Sequence, residues 1–126
     1  MIYHSTRNKN LMADSAQAVL EGLAADGGLY VPAALPAFDW KKCLQGSAME
    51  MSAQILGALL PEIPDMDNLV RKAYTGKFAA EGLTPTVSVG DMHVLELFHG
   101  PTSAFKDVAL CMLPQIRACR CRKCDI

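Results

Sequence analysis

The chain has no apolar run long enough to cross a bilayer as a helix, and its first ten residues are polar where a secretory signal needs a hydrophobic stretch. The expected location is therefore the cytoplasm. Charge of one sign is missing too: 12 Lys and Arg face 13 Asp and Glu, a formal net charge of -1. A surface so balanced carries no electrostatic footprint for nucleic acid or an anionic membrane, so neither is an expected partner, and a small molecule fits better. Cysteine is scarce before residue 111. Cys43 stands alone, while Cys111, Cys119, Cys121 and Cys124 crowd the C-terminal end. That distribution excludes the dispersed disulfide framework of a small secreted domain. Internal repeats and low-complexity linkers are also absent.

What is present is a chain of 126 residues, 51% hydrophobic and 20% charged, which has the means to form a core and the length for one domain or pieces of two. Ala16, Val19, Leu20 and Leu23 recur at helical spacing after Asp14-Ser15, and predict a helix over 15–23 that Gly22 or the Asp26-Gly27-Gly28 turn stops. Leu29-Tyr30-Val31 reads as a short extended run ended by Pro32. Ser47 and Glu50 form a capping box for a second helix, with Ala48, Met51, Ile55 and Leu59 on one face and Pro61 beyond its end. Asp65 or Asp67 caps a third, carrying Leu69, Val70, Ala73 and Tyr74 and stopping at Gly76. After Gly82 the period changes. Residues 86–89 and 93–98 flank Gly90-Asp91 as a β-hairpin, and a fourth helix is predicted from Thr102 or Ser103 until Pro114 ends or kinks it. The expected organisation is a helical N-terminal segment over 1–82, the start of an α/β unit over 83–117, and a divergent tail over 118–126. As a fold class this is α/β, reduced to α+β within these residues.

The stretch from Leu95 to Asp107 (Leu-Glu-Leu-Phe-His-Gly-Pro-Thr-Ser-Ala-Phe-Lys-Asp) places Lys106 early in a helix that follows a strand and a tight turn. Most lysines in such a place are solvated surface residues. A helix N-terminus disfavours an ammonium by roughly 0.3–1 kcal/mol, and burial beside Ala104 and Phe105 acts the same way, so the neutral amine needed for a Schiff base is favoured. Asp107 opposes this unless it points elsewhere and compensates the helix dipole. His99 serves equally as a structural histidine or as a group facing a site, and His4 and His93 belong to no nucleophile constellation. Met49, Met51 and Ile55 are expected in the core.

The run from Leu95 to Asp107 resembles, nearly residue for residue, the pyridoxal-phosphate (PLP) lysine signature of threonine synthases. Two further segments are similar to the N-terminal signatures of that family: Tyr3-His4-Ser5-Thr6-Arg7 and the stretch from Glu21 to Pro32 that contains Asp26-Gly27-Gly28-Leu29. The resemblance covers roughly Met1 to Arg117. It implies a fold-type II PLP enzyme, a carbon-oxygen lyase acting on phosphates in threonine biosynthesis, which converts O-phospho-L-homoserine and water to L-threonine and phosphate. Lys106 is then both the cofactor-binding and the catalytic residue, exchanging PLP with the substrate amine and moving protons at the substrate carbons. Thr102, Ser103 and Asp107 match the signature without an assigned role.

A threonine synthase is several times longer, and the serine/glycine-rich substrate loop, the glycine-rich phosphate cup and the partner of the pyridine nitrogen have no counterpart in these residues. The expectation is a fragment, a truncated product or a frame change near Arg117, inactive alone and prone to self-association through apolar surface left uncovered. Two other readings remain: a non-catalytic N-terminal interaction module, and a small zinc module. Cys119, Cys121 and Cys124 with their basic neighbours supply three of the four ligands that structural zinc normally takes, and an unstructured tail is the competing expectation.

Overall fold

The N-terminal residues pair before the first helix begins. The structure, a computed structural model, describes residues 1–121, with side chains to residue 119. Strand β1 (Ile2–Ser5) is antiparallel to β2 (Met12–Asp14), with Tyr3 opposite Ala13, and its other edge pairs with β3 (Tyr30–Pro32) to give the order β2-β1-β3. β1 and β2 add to the expected elements. Tyr3 and Ser5 are buried while Ile2 is exposed, so the apolar/polar alternation that marks a half-buried strand is missing from the sequence. Pro32 lies within β3 rather than after it, and the place is tolerated because β3 is an edge strand.

Helix α1 (Ser15–Glu21) starts where Asp14 Oδ1 accepts from the Gln17 N–H at 2.7 Å, and it ends at Gly22, whose φ of +74° suits glycine. Ser15, Ala16 and Ala18 are buried, whereas Leu20 and Leu23, expected on the core face, are exposed. A single turn, α2 (Trp40–Cys43), is capped by Asp39 and buries Cys43; it has too few residues to show a period in sequence.

Helix α3 (Ala48–Leu59) carries the predicted capping box: Ser47 N–H donates to Glu50 Oε2 at 2.7 Å and Glu50 N–H donates to Ser47 Oγ at 3.3 Å. We expect Ser47→Ala to lower stability by about 0.5–2 kcal/mol, read as a fall in the urea midpoint at unchanged slope; an unchanged midpoint means that the box contributes nothing net. The core face of α3 is only partly the expected one. Ala48 and Leu59 pack on the core as expected and Met49 joins them, with Ala53 and Leu56 and the Leu60 just past the helix end, while Ile55 is exposed.

Helix α4 (Met66–Tyr74) is the centre of the core, and Met66, Leu69, Val70, Ala73 and Tyr74 are all buried. Asp65 precedes it at φ +56° without a side-chain cap, since its carboxylate accepts from Asn68 Nδ2 instead. Strands β4 (Thr86–Val89) and β5 (Met92–Leu95) form the predicted hairpin, Val87 opposite Val94, with Gly90 at φ +60° in the turn. Its side chains are mostly exposed on both faces.

The last helix, α5 (Asp107–Cys121), returns to α4. Met112 and Ile116 enter the core, and Tyr74 Oη donates to the Val108 carbonyl at 2.9 Å. Pro114 neither ends nor breaks α5. It removes one N–H donor to the Leu110 carbonyl, and both residues lie on the exposed side of the helix, where water can replace that donor. The architecture is α+β: a three-stranded sheet, a helical core and a projecting hairpin.

Candidate functional site

Helix α5 begins four or five residues later than the sequence predicts, and the difference is made by the loop before it. Ser103 adopts φ +57°, a left-handed conformation that no α-helix contains, and its N–H donates to the Gly100 carbonyl at 3.1 Å in a tight turn. Lys106 is therefore not inside the helix. It stands immediately before it, and its carbonyl accepts the first helical bonds, from the N–H groups of Ala109 at 3.0 Å and Leu110 at 2.8 Å.

The expected burial of Lys106 is also corrected. Lys106 is exposed, Phe105 is 65% exposed, and among the described residues the Lys106 amine has no hydrogen bond or ion pair. The buried charge is Asp107, only 1% exposed. Its Oδ1 accepts from Thr102 Oγ1 at 2.6 Å and its Oδ2 from the Thr102 N–H at 2.8 Å, so both carboxylate oxygens grip one residue of the preceding turn. These bonds, the Thr102 hydroxyl above all, hold the Asp107 carboxyl below the usual carboxylate range against the opposing effect of burial. A carboxylate so depressed adds stability above its ordinary pKa, and that stability is lost as pH falls through the lowered value. Gly100 makes the grip possible. A Cβ there would sit 2.4 Å from both Cβ and Oδ2 of Asp107.

The turn is tied to the rest of the molecule upstream. The Ala79 N–H donates to the His99 carbonyl at 2.9 Å, the Glu96 N–H to the Pro85 carbonyl at 2.9 Å, and His99 Nε2 to Glu96 Oε2 at 2.7 Å. The rings of Phe98 and His99 lie 4.6 Å apart. His99 thus has a structural hydrogen bond within its own segment. His4 and His93 likewise bond only locally, at Ser5 O and Ser88 Oγ.

A second constellation joins the two N-terminal motifs, which sequence reading left as separate matches. Ser5 Oγ donates to the Asp26 carboxylate at 2.7 and 2.9 Å, the Gly28 N–H donates to Asp26 Oδ1 at 2.9 Å, and Arg7 Nη1 donates to the Asp26 carbonyl at 2.9 Å. The Gly28 N–H and the Ser5 hydroxyl together lower the Asp26 pKa. Gly27 takes φ +75°, as expected of the turn, while Gly28 is required for a different reason: a Cβ there would meet Ser5 Oγ at 2.1 Å. The visible signal for this pairing was the presence of both motifs in one chain. No hydrogen bond or ion pair joins this cluster to Lys106 among the described residues.

Among the described residues, no group of three or more His, Cys, Asp or Glu is placed to hold a metal. The expected Cys119/Cys121/Cys124 set depends on positions outside the residues whose side chains are described. No described helix is long and apolar enough to cross a membrane.

The family model for the N terminus of threonine synthase matches residues 2–74. The chain is 40% identical over 124 residues to the threonine synthase of Saccharomyces cerevisiae, covering 86% of this chain and 24% of that protein. It is 37% identical over 112 residues to threonine synthase-like 1 of Homo sapiens, covering 82% of this chain and 15% of that one. In three dimensions it is similar to a PLP-bound threonine synthase from Brucella melitensis, with a TM-score of 0.85 and 37% identity over 98% of this chain and 28% of that chain. The chain thus spans about a quarter of the length of the threonine synthases it matches. By the extent of these matches, from β1 to the end of α4 and on into α5, the chain belongs to the threonine synthase family.

Proposed function

We propose that this chain is the lysine-bearing N-terminal part of a PLP-dependent threonine synthase, whose reaction turns O-phospho-L-homoserine and water into L-threonine and phosphate. The observation that carries the reading is the placement of Lys106: an exposed amine without a partner, at the junction of a hydrogen-bonded turn and a helix, inside the segment that resembles the family's cofactor signature. An unpaired, accessible amine meets the first requirement for a bond to an aldehyde. The residues therefore fit the group at that single point, and Lys106 is the residue that would hold it.

When bound, PLP supplies an electron sink that makes the carbons of an amino acid acidic enough to lose protons. The part left to Lys106 is to hold the aldehyde carbon, to release it to the substrate amine, and to carry protons on its own ε-nitrogen. The exposed side chains on this side of the molecule leave water exclusion to other parts of a complete enzyme.

The test is chemical trapping. The chain is incubated with PLP, reduced with borohydride and mapped by mass spectrometry. We expect saturable pyridoxyl labelling of Lys106 in excess of Lys72 and Lys77, and its loss in Lys106→Ala with the other labels unchanged. Equal, non-saturating labelling of all exposed lysines would make Lys106 an ordinary surface amine and overturn the reading.

A further inference from the structure

We propose that Asp107 is a positioning residue for Lys106: its buried carboxylate, gripping Thr102 with both oxygens across Gly100, fixes the turn that presents the lysine. The inference rests on the reading of Lys106 given above and assigns a role to neighbours that the reading leaves without one.

Three observations converge. First, Asp107 is the only acidic residue fully withdrawn from solvent among the described residues, yet its side-chain bonds stay within residues 102–104 of the turn just before it, two of them to Thr102, and none reaches another element. A carboxylate placed only to stabilise the fold would more usefully bridge elements or lie in water at the helix end. Second, the bonded ring encloses Ser103, the left-handed residue, and the Asp107 N–H closes it again by donating to the Ala104 carbonyl at 3.0 Å. The backbone of residues 102–107 is thereby held in a conformation that Ser103 would rarely adopt alone. Third, Lys106 is the residue next to the grip, and its carbonyl is bound by Ala109 and Leu110, so its backbone is fixed on both sides while its side chain stays free. A reactive amine on a fixed backbone loses less freedom when it captures an aldehyde than one on a mobile loop, and displacement by an ångström costs on the order of a hundredfold in rate in favourable cases.

The chemistry separates position from charge. In Asp107→Asn the amide oxygen still accepts from the Thr102 N–H, and its NH2 donates to Thr102 Oγ1, so the grip survives without the charge. In Asp107→Leu the branched outline is kept, with bulkier methyls in place of the oxygens, and both bonds are lost. Thr102→Ser retains both donors. Gly100→Ala forces the grip apart from the opposite side, through the 2.4 Å approach of its Cβ to Asp107.

The experiment measures borohydride-trapped pyridoxyl on Lys106 relative to Lys72 in each folded variant, together with amide exchange at Thr102. We expect Asp107→Leu and Gly100→Ala to lower the ratio by about tenfold or more and to open the Thr102 amide, while Asp107→Asn and Thr102→Ser stay near the parent value. If Asp107→Leu does not fold, Gly100→Ala carries the comparison. An open Thr102 amide with an undiminished Lys106 ratio overturns the positioning role and leaves the cofactor reading intact. Absence of preferential Lys106 labelling in the parent chain overturns the cofactor reading, and the positioning role falls with it.

Discussion

A polypeptide of these 126 residues, supplied with PLP and O-phospho-L-homoserine, is expected to release no phosphate above the enzyme-free rate. Rate acceleration in such chemistry comes largely from holding reactants in one orientation and from excluding water, and a single covalent point does neither. On the reading proposed above, what these residues offer the cofactor is the exposed amine of Lys106, beside an exposed Phe105. The same chain leaves Val89, Met92, Leu95, Phe98, Phe105 and Leu110 uncovered, and apolar surface of that extent favours association. Phosphate release and light scattering on one sample series therefore test two expectations together: a background rate, and a mass that rises with concentration. Turnover that disappears in Lys106→Ala would show that copies of the chain assemble a site, and would overturn the first expectation.

The second large effect is expected in α4. Leu69→Ala should lower the unfolding free energy by about 2–5 kcal/mol, because it removes a buried side chain from a helix that packs on both α3 and α5. Domains of this size have only about 5–15 kcal/mol to lose, so a large share of the fold's stability goes with one side chain. The urea midpoint reads the loss. Leu35→Ala, at a position 82% exposed, is the control and should stay within about 0.5 kcal/mol of the parent. A loss at Leu69 no greater than at Leu35 would show that the core closes around the gap.

The legible parts of this fold are those in which local chemistry and burial agree. Ser47 with Glu50 announces α3, the spacing of Leu69, Val70, Ala73 and Tyr74 announces α4, and Gly90-Asp91 announces the hairpin turn. The parts missed are those in which a polar residue takes an inward place. Ser5 is buried in β1 because Asp26 approaches from the turn that holds Gly27 and Gly28 while the neighbouring Arg7 N–H bonds its hydroxyl, and nothing within residues 2–5 signals a partner more than twenty positions away. α5 starts later than its sequence suggests for a related reason: Thr102 and Ser103 look like caps, but Thr102 donates to Asp107 and Ser103 turns left-handed. At the candidate site the role proposed for Lys106 comes from resemblance alone. Its exposure was not legible in the sequence, since burial depends on the whole surrounding chain.

The bond between the Ala79 N–H and the His99 carbonyl closes the base of the excursion formed by residues 80–98, and within it β4 and β5 already pair with each other. The chain path from the helical core out to the hairpin and back is thus a tether with its ends pinned together. Closing such a tether costs an entropy that grows only with the logarithm of its length, about 0.6 kcal/mol for each doubling. Residues added at the Gly90-Asp91 tip would leave the base, the Asp107 grip and α4 where they are. The length of the arm is therefore free to vary while the placement of the lysine behind it is not.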